Sequence, residues 1–173
     1  MRTLSNTHCA NCPAYYQHIM AAPEELRGKM LHYGDRVCTH GKKVRRFGKR
    51  DPKVQVPDWC PRRISPPRLR IYDFRSTYDW AFQTILKLSP LAHRYCVLYE
   101  GTIELSAKTF WSQCNKDRYG NPLPIHVPLS GIVEIDDGIQ PVCFYRTDKG
   151  YELLEGFDTV AARGNQRRDA SES

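Results

Sequence analysis

Four cysteines carry the chemistry this chain most plainly offers: Cys9, Cys12, Cys38 and Cys60. Cys9 and Cys12 form a C-x2-C pair, a spacing at which two thiolates reach one tetrahedral ion with zinc–sulfur bonds of about 2.3 Å. Gaps of 25 and 21 residues then lead to Cys38 and Cys60. Four soft thiolates favour zinc and leave no coordination position for water, so the ion expected here is structural. An iron–sulfur cluster fits less well, because clusters draw on tighter groupings such as C-x2-C-x2-C. His40, two residues after Cys38, is the main rival ligand, and His8 and His32 are weaker rivals. Four unrelated buried thiols are the bland alternative. The knuckle-like sequences Cys9-x2-Cys12-Pro13 and Trp59-Cys60-Pro61 argue against it.

Between the third and fourth cysteines runs a basic stretch, Lys42-Lys43-Val44-Arg45-Arg46-Phe47-Gly48-Lys49-Arg50, with six cations in nine residues. A loop tied at both ends by a metal can track a phosphate backbone, with Phe47 available to stack on a base. Lys42, Lys43, Arg45, Arg46, Phe47, Lys49 and Arg50 are therefore the candidate nucleic-acid contacts, and Arg62, Arg63, Arg68 and Arg70 extend the patch. The same charge suits an acidic host protein or a nucleoprotein complex. No element of a base-reading motif is apparent, so the expected partner is a DNA or RNA backbone.

The charge is uneven. Residues 1–75 hold 16 Lys and Arg against 6 Asp and Glu, whereas residues 76–173 hold 10 against 13. A basic module thus precedes a near-neutral one, and the basic half favours a polyanionic partner. At 173 residues, 40% hydrophobic and 26% charged, the chain fits one domain or two small ones. No apolar run approaches the roughly 20 residues of a membrane helix. The first residues, MRTLSNTHCANCP, lack the apolar stretch of a signal peptide. A cytoplasmic setting is expected, where an odd count of seven cysteines does not imply a disulfide framework. Cys96, Cys114 and Cys143 lie in apolar contexts and are expected to be buried thiols.

The elements that must position these groups divide into three parts: a basic zinc module at 1–65, an α+β domain at 66–158 and a flexible tail at 159–173. Pro23-Glu24-Glu25 suits the start of a short helix. Residues 41–57 read as a loop or irregular hairpin. After the stiff Ser65-Pro66-Pro67 junction, Leu69–Phe74 alternates as a half-buried strand does. Ser76-Thr77-Tyr78-Asp79 has the capping-box form, and Tyr78, Phe82, Ile85, Leu86 and Leu88 mark the apolar face of the helix that follows. Tyr95–Tyr99 reads as a strand, Glu100-Gly101 as a turn and Thr102–Leu105 as another strand. Ala107, Phe110, Trp111 and Cys114 place a second amphipathic helix at 106–115. Residues 117–124 read as a loop, and strands at 127–135, 142–146 and 151–154 form a closing β-meander. The expected class is α+β, a zinc module followed by a mixed, mostly antiparallel sheet with two helices. Tyr15, Tyr16, Trp80 and Trp111 are expected to pack cores, with Trp59 shielding the metal.

No catalytic set stands out. Asp136-Asp137-Gly138 reads as an ordinary turn, and Cys114 reads as core and not as the partner of His126. The motifs C-A-N-C-P at 9–13, C-T-H at 38–40 and P-D-W-C-P at 57–61 do carry a likeness. Residues 9–61 resemble small four-cysteine zinc-binding accessory proteins of phages and mobile elements. The resemblance implies an accessory protein of a phage or integrated element, and with no catalytic set its expected role is non-enzymatic. That role is either nucleic-acid binding or, alternatively, protein–protein inhibition of the anti-defence (anti-CRISPR) type against a host nuclease complex. The meander is similar to small SH3-like barrels of mobile-element proteins.

Overall fold

A computed structural model describes residues 9–19, 24–41, 43–51, 56–86, 88–114 and 123–168. Lys42, His8, the helix-opening Pro23 and most of the 117–124 loop lie outside them. The chain divides into two units, residues 1–63 and 64–173.

The first unit is built on a small antiparallel sheet of β1 (Tyr15–Gln17), β2 (Arg36–Cys38) and β3 (Arg45–Arg46), in that spatial order. Tyr15 lies opposite Cys38, and Cys38 opposite Arg45. A short 3-10 turn at Glu24–Leu26 occupies the place of the expected helix start. Among the described residues, the buried apolar side chains of this unit are Leu26, Val37, Val56 and Pro57. So small an apolar core is weak support for a fold of this length.

The second unit is an antiparallel five-stranded sheet flanked by helices, an α+β architecture. Its strands are β4 (Arg68–Phe74), β5 (Tyr95–Thr102), β6 (Ile132–Asp136), β7 (Pro141–Thr147) and β8 (Gly150–Leu154), in the order β5-β4-β6-β7-β8. The described sheet is open at β5 and β8, so the meander is one wing of a sheet and not a closed barrel. Helix α1 (Thr77–Leu86) follows β4, α2 (Ala107–Cys114) follows β5, and α3 (Thr159–Arg163) follows β8. Strand β4 is buried on both faces, because alternate residues serve two cores. On one face Phe110 and Trp111 of α2 pack on Phe144, at ring distances of 5.0 and 5.6 Å. On the other, Tyr72, Phe74, Tyr95, Ile132 and Cys143 gather with Ala162 of α3 and Phe157.

Four expectations need correction. Strand β5 runs unbroken through Glu100-Gly101, pairing Glu100 with Arg70 and Gly101 with Leu69. No turn forms because the Arg70 guanidinium grips Glu100 across the ladder, at 2.8 Å, and the Tyr99 ring fills the space beside Gly101. Residues 127–131 are a turn and not a strand: the Gly131 amide donates to Pro128 O at 2.9 Å, and Ser130 takes φ 66°. Residues 159–168 are ordered contacts and not a tail. Asp158 caps α3 through the Val160 and Ala161 amides, and the Asn165 side chain donates to the carbonyls of Ala92 and Tyr95. Residues 169–173 lie outside the description.

The last correction concerns α1. Its capping box forms, with the Asp79 amide donating to Ser76 Oγ and Ser76 Oγ donating to Asp79 Oδ2. The face it buries, however, is polar. Asp79 accepts from Arg94 at 3.1 Å, and the Gln83 amide donates to Tyr95 Oη at 3.0 Å. These partners sit in the segment that leads into β5, so satisfying them rotates the apolar residues outward. Tyr78, Trp80, Ile85, Leu86 and Leu88 are exposed. Trp80 therefore does not pack the core.

At the sheet centre lies an ion network the sequence did not announce. Glu134, fully buried, accepts from Tyr72 Oη and from Arg70 Nη1, the latter at 3.1 Å. Burial works to lower the Arg70 pKa, but Glu134 and Glu100 outweigh it and raise it. Burial and then the Glu134 bond push the Tyr72 hydroxyl well above the ordinary phenol range. Removing one partner of a buried pair leaves a charge uncompensated. Glu134→Ala is expected to cost about 3–5 kcal/mol in urea unfolding, whereas Arg70→Met with Glu134→Leu costs far less. A cost below about 1 kcal/mol for the single variant would remove the network's structural role.

Alkaline pH gives a second check. Burial pushes the Cys143 thiol up to about 12 and the Cys114 thiol up to about 11. Both groups hold their protons longer in the folded state than in the unfolded one, so the stability they contribute is complete below the ordinary thiol pKa of 9.0. It is lost as pH rises through the folded values. The urea midpoint is expected to fall steadily above about pH 9, and a flat profile up to pH 11 would contradict this burial.

Candidate metal centre

Three pieces of local structure deliver the four cysteines. Cys9 opens a 3-10 turn, and the Cys12 amide donates to Cys9 O at 2.8 Å, closing the first knuckle. A second turn has the same form: the Cys60 amide donates to Pro57 O at 3.1 Å and the Arg63 amide to Cys60 O at 3.0 Å. Cys38 ends β2, and pairing with Tyr15 holds it beside the chain that has just left Cys12. The Thr39 amide extends this ladder to Ala14 O.

The two turns meet. Arg62, two residues beyond Cys60, directs Nη1–H toward Cys12 Sγ at 3.7 Å. Burial pushes the Cys9 thiol above its ordinary value, and the thiols of Cys60, Cys12 and Cys38 push the same way while Arg36 opposes them. The thiols of Cys12, Cys38 and Cys60 are thus each within electrostatic reach of Cys9, and all four residues are half-buried. Among the described residues, no three His, Cys, Asp or Glu side chains are drawn tightly enough together to form a closed metal cage. Of the rival ligands, His40 and His32 are exposed, and the His32 amide donates to Asp35. His8 lies outside the described residues.

The donor set is four thiols in a polar, half-buried setting, with a guanidinium N–H beside one of them. Deprotonated and drawn onto one ion, these four thiols would supply a tetrahedral sulfur set with no place for a reacting water. A hydrogen bond to a coordinating sulfur spreads its charge and orients it.

The basic stretch folds back onto this unit. Phe47 is half-buried, edge-on to Tyr15 at 5.7 Å and to Trp59 at 5.1 Å, with Arg36 across its ring at 5.2 Å. Its ring thus belongs to the unit's aromatic cluster and does not stand in solvent as a base-stacking platform. Arg45 lies over the Trp59 ring at 4.2 Å, a cation–π pair. Arg46 pairs with Asp35 at 3.6 Å. Lys43, Lys49 and Arg50 are exposed, and Lys42 falls outside the described residues. Of the proposed extensions, Arg68 is exposed, Arg63 donates to the carbonyls of Pro57 and Val56, and Arg70 is buried in the sheet network.

Asp51 anchors the loop. Its carboxylate accepts the Gly48 amide at 2.6 Å and the Trp59 indole N–H at 2.8 Å. These two donors hold the Asp51 carboxyl below its ordinary value. Sequence reasoning missed this anchor, although Asp51 follows the basic run directly. In the acidic turn of the second unit, Asp136 and Asp137 accept the amides of Gly138 and Ile139, an ordinary Asx arrangement.

Comparison with protein-family models, with curated proteins and with solved structures gives no match to this chain.

The loop anchor has a direct check. Asp51→Ala is expected to shift the Trp59 indole N–H resonance and to speed hydrogen exchange at the Gly48 amide. Spectra unchanged at both positions would show that the carboxylate does not hold the loop.

Proposed function

We propose that this chain is a non-enzymatic nucleic-acid-binding accessory protein, in the setting its likeness to phage and mobile-element proteins implies. In this reading Cys9, Cys12, Cys38 and Cys60 hold one structural zinc ion. The single observation that carries it is two knuckle turns joined by the Arg62–Cys12 contact, with four half-buried thiols, in a unit whose described buried apolar side chains are Leu26, Val37, Val56 and Pro57. Such a unit gains folding energy from a metal cross-link.

The zinc-held unit presents Lys43, Lys49 and Arg50 to solvent, with Arg45 and Arg46 beside them. Exposed cations on a fixed loop suit phosphate contacts that release counterions, and they read no base sequence. Arg45 keeps part of its fork outward while stacked on Trp59, since a ring contact uses the guanidinium face and leaves its N–H edge for an acceptor. Phe47 takes a supporting role, because its ring is committed to Tyr15 and Trp59.

The test is a mobility shift on short single- and double-stranded DNA and RNA at low and physiological salt, with zinc measured on the same sample. Salt-sensitive binding with about one zinc per chain is expected. Lys49→Ala with Arg50→Ala should weaken binding for all sequences alike and lower the salt slope by about 2. Chelation should unfold residues 9–63 while leaving the signals of the second unit in place. Zinc without nucleic-acid binding would instead favour the alternative, a protein–protein inhibitor or adaptor acting on a host nuclease complex. Absence of zinc from a freshly purified, reduced sample would remove the metal centre.

A further inference from the structure

The turn that delivers Cys60 also delivers Arg62. It is closed by the Cys60 amide on Pro57 O and by the Arg63 amide on Cys60 O, at 3.1 and 3.0 Å. The Arg63 side chain fastens it to the preceding chain, donating to Pro57 O at 3.1 Å and to Val56 O at 2.8 Å. Val56 and Pro57 are both buried, so the turn is fixed in its unit. From this fixed base the exposed Arg62 directs Nη1–H to Cys12 Sγ, 50 residues earlier in the chain. Cys12 stands on the other knuckle, where its amide is tied to Cys9 O at 2.8 Å. One turn therefore supplies both a candidate ligand, Cys60, and a hydrogen-bond donor to a candidate ligand on the other turn.

We infer that Arg62 is a positioning residue of the metal centre: its guanidinium donates to the Cys12 thiolate and keeps the two knuckles together for one ion. The inference rests on the proposed zinc reading and deepens it. Four thiolates around a divalent cation leave a net charge of about −2. All four cysteines are half-buried, so water compensates that charge only in part. A guanidinium N–H on sulfur adds compensation through a charge-assisted bond. Arginine suits this task better than lysine, because its flat fork fixes the direction of each N–H and is more weakly hydrated. Arg36 is a second cation within electrostatic reach of the set, acting on Cys9, so two guanidinium charges oppose the thiolate charge. Nearby, Arg45 is committed to the Trp59 ring and Arg46 to Asp35. Read from sequence, Arg62 is one more phosphate contact at the end of a basic segment. The fold turns it toward sulfur instead, and its effect belongs to the stability of the metal site and not to the count of phosphate contacts.

The test is cobalt(II) binding by the full, reduced chain, followed through the thiolate-to-metal charge-transfer band and by competition with zinc. Arg62→Ala is expected to weaken cobalt binding roughly tenfold, the low end for a residue behind a ligand because Arg62 is exposed. The band should move to longer wavelength, since a sulfur that loses its hydrogen bond gives up electron density more readily. Arg62→Lys, which keeps the charge and a donor, should recover part of both effects. Lys29→Ala removes an exposed cation from the same unit and should change neither. In the wild-type chain, loading with zinc should slow exchange of the Arg62 guanidinium protons, a readout that needs no variant. An Arg62→Ala chain with the wild-type affinity and band would overturn the inference and leave the zinc reading intact. So would guanidinium exchange indifferent to zinc. A variant with unchanged metal binding whose salt slope on nucleic acid falls by about 1 would return Arg62 to the phosphate patch. A wild-type chain that takes up neither cobalt nor zinc would remove the metal reading itself, and this inference with it.

Discussion

The first unit is constrained by how little it can bury. Leu26, Val37, Val56 and Pro57 are its described buried apolar side chains, few against the entropy of ordering the loops around them. Its three strands contribute three, three and two residues. In the proposed reading a metal on the four cysteines holds the turns together where the apolar core is small. A shared metal would do this by cross-linking distant parts of the loop, with the knuckle hydrogen bonds setting the geometry of each pair. The Arg45–Trp59, Arg36–Phe47 and Asp51–Trp59 contacts then act as a second layer that shapes the basic loop from outside the thiols.

The second unit solves the same problem in the opposite way. Its central strand β4 is buried on both faces, and two aromatic clusters fill the space above and below the sheet. That core is rich enough to hold a buried ion network, Arg70 with Glu134 and Tyr72, within the ladder. It also tolerates a helix anchored by polar contacts. Because Asp79 and Gln83 find partners in Arg94 and Tyr95, α1 needs no apolar contact on its inner face. Its apolar residues are left for solvent or a partner.

What was legible in the sequence follows from range. Short-range signals read correctly: the capping box at Ser76–Asp79, the i, i+3, i+4, i+7 spacing that places α2, and the turn at 136–138. Features decided by distant partners did not. The Glu100-Gly101 pair looks like a turn until Arg70, thirty residues earlier in the chain, is placed opposite it. The face of α1 is invisible to periodicity, since the polar pair that wins is chosen by residues 91–95. Residues 159–168 look like a tail because their partners, Ala92, Tyr95 and Arg75, lie far back in the chain. In the candidate centre, residue types and spacing pointed to the four cysteines. The contact of Arg62 with Cys12 and the commitment of Phe47 to an aromatic cluster needed the fold.

The central claim is that four thiolates hold one ion. X-ray absorption at the zinc edge of the purified, reduced full chain tests it most directly, because it counts the sulfurs around the metal. A first shell of four sulfurs at about 2.3 Å with no light-atom ligand is the expected result. A shell containing nitrogen or oxygen, or a protein that retains no zinc after purification, would contradict it.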